Sequence, residues 1–244
     1  MGAALKALEA IDREAVASYL VNPPLGPDVS HNLNGQKLGR KGQATRERIL
    51  AATLELINEG GDTPISLSAV ARRANLGMTS LYNYFTDLTE LLLAVLWPVM
   101  QEATDGYFSQ LRQYWPDDGL EECCRNFVQS YFDFWTKHSR VLHLRNNMAD
   151  QYDERMMTAR VRTAKPTIEL MRMQMAPIGA APRTEAASMA SVLMTGLERA
   201  VTVATDTVTP TFIEREFGPR NTQVVEPLTR LLLIAIRDCR SPAA

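Results

Sequence analysis

The stretch that decides the fold is residues 66–85, SLSAVARRANLGMTSLYNYF. Ser66 is a typical N-cap residue, and a short run with apolar residues at helical spacing follows it. Residues 75–77 form a tight connection, in which Asn75 tolerates a left-handed backbone better than most non-glycine residues do. A second short helix is predicted from Met78. Two short helices joined by such a turn predict a helix-turn-helix.

The apolar spacing also predicts how this unit packs. Ala71 is small, so the two short helices can cross closely at that point. The predicted core residues are Ile49, Leu56, Leu67, Val70, Leu76 and Leu81. The side chains left facing outward on the second helix are then Met78, Thr79, Ser80, Tyr82 and Asn83. Such a face can enter the major groove of DNA.

The preceding residues, 1–42, are predicted to be an N-terminal extension. Residues 4–20 have the pattern of an amphipathic helix, and a proline-rich stop follows them. The chain as a whole has a net charge of −2, but five Lys and Arg residues and one Glu lie between residues 37 and 48. We predict a flexible basic arm, with Arg40 and Lys41 on it directly before the first helix of the next domain.

Residues 43–96 resemble the DNA-binding domain of the TetR/AcrR family of transcription regulators. The resemblance rests on three motifs in order, namely Thr45-Arg46, Val70-Ala71-Arg72-Arg73-Ala74 and Leu81-Tyr82-Asn83-Tyr84-Phe85. This chain departs from the family pattern at two positions. Asn75 stands where the family usually has Gly, and Leu88 stands where the family usually has a Lys that meets a phosphate.

The resemblance implies an all-α fold with two parts. The first is an N-terminal three-helix helix-turn-helix DNA-binding domain, expected at residues 43–90. The second is a C-terminal helical ligand-binding and dimerisation domain, expected at residues 91–244.

Candidate DNA-binding residues follow from the residue types and from the resemblance. They are Arg40, Lys41, Thr45, Arg46, Ser66, Met78, Thr79, Ser80, Tyr82, Asn83 and Tyr84. Contacts with the DNA backbone are expected from the residues before Met78, namely Arg40, Lys41, Thr45, Arg46 and Ser66. By resemblance, they are also expected from Tyr82 and Tyr84. Base contacts are expected from the others, for example Asn83 to adenine. Alternatively, Tyr84 is half core and Asn83 is only solvated; Arg72 and Arg73 are expected at the surface without contacting DNA.

The remaining chain is predicted to form longer helices, at 88–114 with a kink at Pro98, 118–137, 141–152, 154–175, 184–207 and 221–239. Aromatic and methionine residues at helical spacing usually indicate core packing. The resemblance instead implies a cavity for a small effector, which we expect to be hydrophobic or aromatic. The candidate lining residues are Trp97, Met100, Tyr107, Phe127, Tyr131, Phe134 and Trp135, with His138, Arg145 and Asn146 as polar anchors.

The last two long helices carry regular apolar stripes. These are Ala190, Met194, Leu197, Val201 and Ala204 on one helix, and Val225, Leu228, Leu232, Ala235 and Cys239 on the other. By resemblance, these helices pair with their copies in a homodimer. A dimer also suits DNA reading, because two recognition helices must meet half-sites about 34–36 Å apart. The alternative is packing within one chain.

Other functional classes are disfavoured. No nucleophile elbow, P-loop or dinucleotide motif is present, so we expect no enzyme and no cofactor. The spacing of His138 and His143 is wrong for two ligands on one helical face, so no metal is expected. No apolar run approaches the roughly 20 residues of a membrane span, and no signal-peptide pattern begins the chain, so a cytoplasmic location is expected.

The sequence therefore predicts a homodimeric, ligand-responsive regulator that binds double-stranded DNA. We expect a repressor that a small effector releases from a palindromic operator, by tilting the helix that begins at Leu88. The alternative hypothesis is a helical protein-binding module whose helix-turn-helix serves protein contacts.

Overall fold

The structure is a computed structural model that describes residues 31, 33, 35, 37–60, 65–206, 208–218 and 223–241. Within these ranges it is all-α, apart from one isolated bridge between His31 and Lys37. The helices are α1 (Arg40–Glu59), α2 (Leu67–Arg73), α3 (Met78–Tyr82), α4 (Leu88–Asp105), α5 (Tyr107–Leu111), a 3-10 turn (Asp117–Gly119), α6 (Leu120–Asp150), α7 (Glu154–Gln174), α8 (Thr184–Thr205), α9 (Thr209–Phe217) and α10 (Val225–Arg240). The predicted helix at 4–20 lies outside the described residues.

The first helix begins earlier than the sequence suggested. Gly39 is the N-cap in an extended conformation, and its carbonyl accepts a hydrogen bond from the Gln43 amide at 3.0 Å. Leu38, just before it, is buried. An anchored apolar residue followed by a glycine cap gives the helix a defined start. Arg40 and Lys41 are therefore helical, and their predicted position on a flexible arm is wrong.

The helix after the helix-turn-helix ends earlier than predicted. Pro98 lies inside α4, and the helix continues through it to Asp105. The interruption falls at Gly106, whose backbone angles of φ −84° and ψ −116° are not helical. Glycine is a poor residue for a helix interior, since it loses more backbone freedom on folding than any other residue. The predicted helix over 88–114 is thus α4 and α5.

The division between the next two predicted helices is confirmed as a kink. α6 is continuous by hydrogen bonding, but His138 has non-helical angles of φ −111° and ψ 16°. The His138 ring lies 5.1 Å from the Phe134 ring, and its Nε2 lies 3.0 Å from Glu102 Oε2. The kink therefore separates the two segments predicted at 118–137 and 141–152.

The later helices agree closely with the sequence pattern. α7, α8 and α10 match the helices predicted at 154–175, 184–207 and 221–239. α9 was not predicted. It has no buried residue among its nine.

The residues pack into two compact units. One contains α1 to α3, α4 up to Gln101, and residues 140–160. The other contains residues 102–139 and the chain from Val161 onward. This division does not coincide with the predicted boundary at residue 90. We call the first the helix-turn-helix unit and the second the C-terminal unit.

Candidate nucleic-acid interface

The turn between α2 and α3 has the predicted geometry. Ser66 caps α2, and its Oγ accepts a hydrogen bond from the Ala69 amide at 3.3 Å. Asn75 has φ 52°, the left-handed conformation that the turn requires. The Leu76 amide then donates to the Ala71 carbonyl at 2.8 Å. These bonds fix the direction in which α3 leaves the turn.

A small apolar core holds α3 in place. The buried members are Ile49, Ala52, Val70, Ala71, Ala74, Leu81, Phe85, Leu91 and Ala94. The predicted core residues Leu56, Leu67 and Leu76 are only partly buried, and they pack around this cluster. Leu81 is fully buried and ties the short α3 to the core.

The exposed face of α3 is narrower than predicted. Thr79 and Ser80 are exposed, and Tyr82 is 49% exposed. Met78 is only partly exposed, because its side chain also packs against the core cluster, and a base contact from it stays a prediction. Tyr84 also packs there, as the half-core alternative for it proposed. The exposed side chains of this five-residue helix are thus Thr79, Ser80 and Tyr82.

Asn83 lies just beyond the last turn of α3. It is the C-cap residue, and its amide bonds back to the Ser80 and Leu81 carbonyls. Its own carbonyl accepts a hydrogen bond from the Leu33 amide at 3.0 Å. Its contact with adenine stays a prediction. The sequence pattern gave no sign that a residue before α1 reaches this position.

Two exposed cations stand at the start of α1. Arg40 and Lys41 occupy its first turn and are exposed. Backbone N–H groups at a helix N-terminus attract anions, and nearby cations add to this attraction. The arrangement can accept a phosphate group.

Thr45 and Arg46 are engaged within the unit. Thr45 Oγ1 donates to the Lys41 carbonyl at 3.0 Å. The Arg46 guanidinium lies 5.4 Å from the centre of the Phe85 ring, and burial lowers the pKa of Arg46 while the charge of Glu90 opposes that change. Arg46 therefore covers the core as well as carrying charge, and a phosphate contact from it stays a prediction.

The α2 arginines differ from one another. Arg73 donates two hydrogen bonds to Glu59, at 2.6 and 2.7 Å, and so joins α2 to α1. These bonds raise the pKa of Arg73 and lower the pKa of Glu59. Arg72 is exposed. Arg73 is thus paired with Glu59 in a contact between α2 and α1.

The start of α4 carries a network of acids that the sequence did not reveal. Asp87 Oδ1 accepts a hydrogen bond from the Glu90 amide at 2.9 Å and one from Arg155 at 2.8 Å. Burial alone would raise the pKa of Asp87, but these hydrogen bonds and the Arg155 charge hold it below its ordinary value. Thr89 Oγ1 donates to Asp153 at 2.6 Å. Asp87 therefore occupies the helix start near Leu88, where a phosphate was expected.

The predicted effector-site residues fall into both units. The aromatic members Tyr107, Phe127, Tyr131, Phe134 and Trp135 come together in the C-terminal unit with His138. Tyr107 lies 4.8 Å from Tyr131 and 5.3 Å from Phe134, measured between ring centres. The other four, Trp97, Met100, Arg145 and Asn146, belong to the helix-turn-helix unit. The aromatic set has the contacts of a packed core, and an effector cavity there stays a prediction.

Neither a membrane span nor a metal site is found among the described residues. No helix there is long and apolar enough to cross a membrane. No group of three His, Cys, Asp or Glu side chains within those residues is placed to hold a metal ion.

The fold and the exposed face of α3 define a helix-turn-helix protein. Residues 49–95 match the model of the bacterial regulatory proteins of the tetR family. The helix-turn-helix region of this chain is therefore similar to the DNA-binding domain of that family. This agrees with the resemblance seen in the motifs around Val70 and Leu81.

Similar proteins share the N-terminal part of the chain. The transcriptional repressor KstR of Mycolicibacterium smegmatis is 38% identical over 65 residues, which are 26% of this chain and 32% of that protein. KstR of Rhodococcus jostii is 43% identical over 51 residues, 21% of this chain and 24% of that protein. The transcriptional regulator BetI of Escherichia coli is 30% identical over 97 residues, 40% of this chain and 49% of that protein. The chain spans between a quarter and a half of the length of these curated relatives.

One solved structure aligns with most of this chain. It is a transcriptional regulator (TerR/AcrR family) from Aquifex aeolicus VF5, 13% identical, with a TM-score of 0.46. The alignment covers 79% of this chain and 98% of that one.

Proposed function

We propose that this chain is a DNA-binding transcription regulator that reads a duplex with the exposed face of α3. The observation that carries this proposal is the exposure of Thr79, Ser80 and Tyr82 on a short helix that a capped turn and a buried Leu81 hold in place. The match of residues 49–95 to the tetR family model supports it.

Each exposed side chain has a role suited to its chemistry. The Thr79 methyl group suits contact with a thymine methyl, and the Ser80 hydroxyl can donate to or accept from a base edge. The Tyr82 hydroxyl suits a phosphate oxygen. Arg40 and Lys41 supply the charge that a duplex requires, since phosphate neutralisation provides much of the affinity for DNA.

The regulator is proposed to act as a homodimer through α8 and α10. The apolar stripes predicted for this purpose face the interior of their own chain, because Ala190, Val201 and Leu232 are buried. Other apolar residues are exposed on the same helices, namely Val192 on α8 and Leu231 and Ile234 on α10. These three residues are the proposed dimer face.

Close approach of a second copy is possible along α8. A Cβ atom built on Gly196 meets no atom within 4 Å, so the backbone is open there. Two-fold symmetry would place two α3 helices on successive half-sites of a palindrome.

The proposal also includes repression of transcription and release of the regulator from DNA by a small effector. Two of the similar proteins are named transcriptional repressors. α4 begins directly after the helix-turn-helix, so an effector that changes its tilt changes the spacing of two paired α3 helices. By linkage, DNA must weaken effector binding by the same factor.

The testing experiment selects bound duplexes from a random pool at two salt concentrations. The variant Arg40→Ala/Lys41→Ala is expected to bind every sequence more weakly, with a salt slope reduced by about 2. The charge-matched control Arg162→Ala/Lys165→Ala on α7 is expected to keep the original slope.

Sequence choice is tested separately. Thr79→Ala/Ser80→Ala is expected to relax the selected motif at two or three base pairs per half-site while leaving the salt slope unchanged. A palindromic motif in the selected pool supports the dimeric reader. Retention of duplexes without any shared motif contradicts it and favours the protein-contact alternative. The observation behind that alternative is the Asp87 carboxylate, which lies at the start of α4 where a phosphate contact was expected.

A further inference from the structure

The C-terminal unit contains an open groove that the proposed function does not use. It has a volume of about 470 Å³ and lies between α5, the loop after it, and one face of α6. Its lining includes the amides of Gln110, Gln113, Asn126 and Gln129 and the hydroxyl of Ser130. No charged side chain is among the described residues that line it. Such a lining favours a neutral ligand with hydrogen-bonding groups.

The wall formed by the loop after α5 is held rigidly. The fully buried Gln174 donates to the Leu111 carbonyl at 2.8 Å and to the Gln113 carbonyl at 2.7 Å. Its Oε1 accepts from the Trp115 amide at 3.0 Å, and the Trp115 indole N–H donates to the Gln110 carbonyl at 2.9 Å. A wall fixed in advance reduces the entropy lost when a ligand binds.

Tyr114 is fixed at the rim of the same groove. Its hydroxyl donates to the Ala176 carbonyl at 3.2 Å. The Arg240 guanidinium lies 4.7 Å from the centre of its ring, and Arg240 also donates to the Gln174 carbonyl at 2.8 Å. The Arg240 guanidinium is thus fixed against the Tyr114 ring.

One buried polar atom of the lining has no hydrogen-bond partner among the described residues. Gln110 Nε2 donates to Ser130 Oγ at 2.6 Å, while Gln110 Oε1 is buried without a hydrogen bond from any described residue. A buried carbonyl without a donor is costly, and a ligand N–H or O–H can satisfy it.

We propose that this groove binds a neutral small molecule that carries several hydroxyl or amide groups, one of which donates to Gln110 Oε1. A volume of about 470 Å³ falls within the range of small-molecule sites. The site lies on a different face of α6 from the aromatic cluster, and its ligand class differs from the hydrophobic effector expected there. The inference stands independently of DNA binding.

The test uses Cys123, a free and partly exposed cysteine of the groove lining. The full-length chain is equilibrated with 1-thio-β-D-glucose disulfide or with cyclohexyl disulfide under a fixed excess of reductant, and the adduct is measured by intact mass spectrometry. Both probes carry a six-membered ring. The adduct yield of each probe is divided by the extent to which the same disulfide exchanges with glutathione, which corrects for its intrinsic reactivity. The glucose probe is expected to be captured at least tenfold better. Cys123→Ser is expected to remove both adducts.

Gln110→Leu is the decisive variant, and Gln110→Met, which keeps the chain unbranched, is measured beside it. Either is expected to lower capture of the glucose probe to the level of the cyclohexyl probe, with cyclohexyl capture unchanged. The matched control is Gln151→Leu, on the exposed turn after α6, which is expected to behave as the parent chain does. Equal capture of the two probes by the parent chain overturns the proposal, as does undiminished glucose capture by both Gln110 variants.

Discussion

The hydrogen bond between Thr89 and Asp153 gives the sharpest test of how α4 is anchored in the helix-turn-helix unit. Thr89 is buried, and its Oγ1 donates to Asp153 Oδ2 at 2.6 Å. Asp153 Oδ1 also accepts from the Arg155 and Met156 amides at 3.1 and 3.0 Å, and so caps α7. The change Thr89→Val preserves the shape of the side chain and removes only the donor.

The expected cost follows from the nature of the acceptor. A hydrogen bond to an ionised group contributes about 1.5–3 kcal/mol to stability. Asp153 is partly exposed, and water weakens the interaction, so we expect Thr89→Val to lower the free energy of unfolding by about 1.5–2 kcal/mol. The assay is urea denaturation followed by circular dichroism.

A second buried threonine of the same unit provides the control. Thr53 Oγ1 donates to the Ile49 carbonyl of its own helix at 2.8 Å, a local bond that adds little to helix stability. Thr53→Val is therefore expected to change the free energy of unfolding by less than about 0.5 kcal/mol. If Thr89→Val costs no more than Thr53→Val, the reasoning about this anchor is refuted.

The same contact predicts a pH dependence. Burial alone would raise the pKa of Asp153, but the hydrogen bonds from Thr89 and from the Met156 amide outweigh it and hold the pKa below its ordinary value. A lowered pKa means that the contribution is fully present above the ordinary carboxyl pKa of about 3.9 and is lost as the pH falls through the lower pKa of the folded state. The stability difference between the parent chain and Thr89→Val should therefore shrink over that acidic range. A difference that is constant from pH 7 to pH 3 contradicts the assignment.

Three further predictions concern other parts of the molecule. Leu81→Ala empties a fully buried site and is expected to lower the free energy of unfolding by about 2–5 kcal/mol, measured by urea denaturation. Iodoacetamide at pH 7 is expected to label Cys123 slowly and Cys124 not at all, because burial raises the pKa of both thiols, that of Cys124 to about 12; labelling of Cys124 in peptide mass spectra would contradict this. Leu231→Asp/Ile234→Asp is expected to yield a monomer in light scattering if these exposed residues form the dimer face, and an unchanged dimer would exclude them.

Local signals in the sequence accounted for the helix-turn-helix. Ser66 as a cap, Asn75 in a left-handed turn and the burial of Leu81 each depend on residues close along the chain. The kink at His138 likewise separates the two helices predicted at 118–137 and 141–152. Local backbone preference and helical periodicity act over a few residues, so a sequence alone expresses them.

The sequence-based predictions differed from the structure where tertiary packing determined which side chains of a helix are buried. Met78 has the position of an outward residue on an ideal helix, yet its side chain also packs against the neighbouring core and is only partly exposed. Ala190 and Leu232 lie on regular stripes that could face a second copy or their own chain, and periodicity is the same in both cases. Only the positions of the surrounding helices distinguish the two.

The sequence by itself determined the all-α class, the helix-turn-helix and the resemblance to the TetR family, because these depend on local spacing and on ordered motifs. The tertiary structure decided which side chains of α3 remain exposed, and it brought Asp153 to Thr89 across 64 residues of chain. It also placed Gln174 behind the loop after α5, which shapes the polar groove around Gln110. Contacts between residues far apart in the chain leave no periodic signal, so they become visible only once the helices have packed.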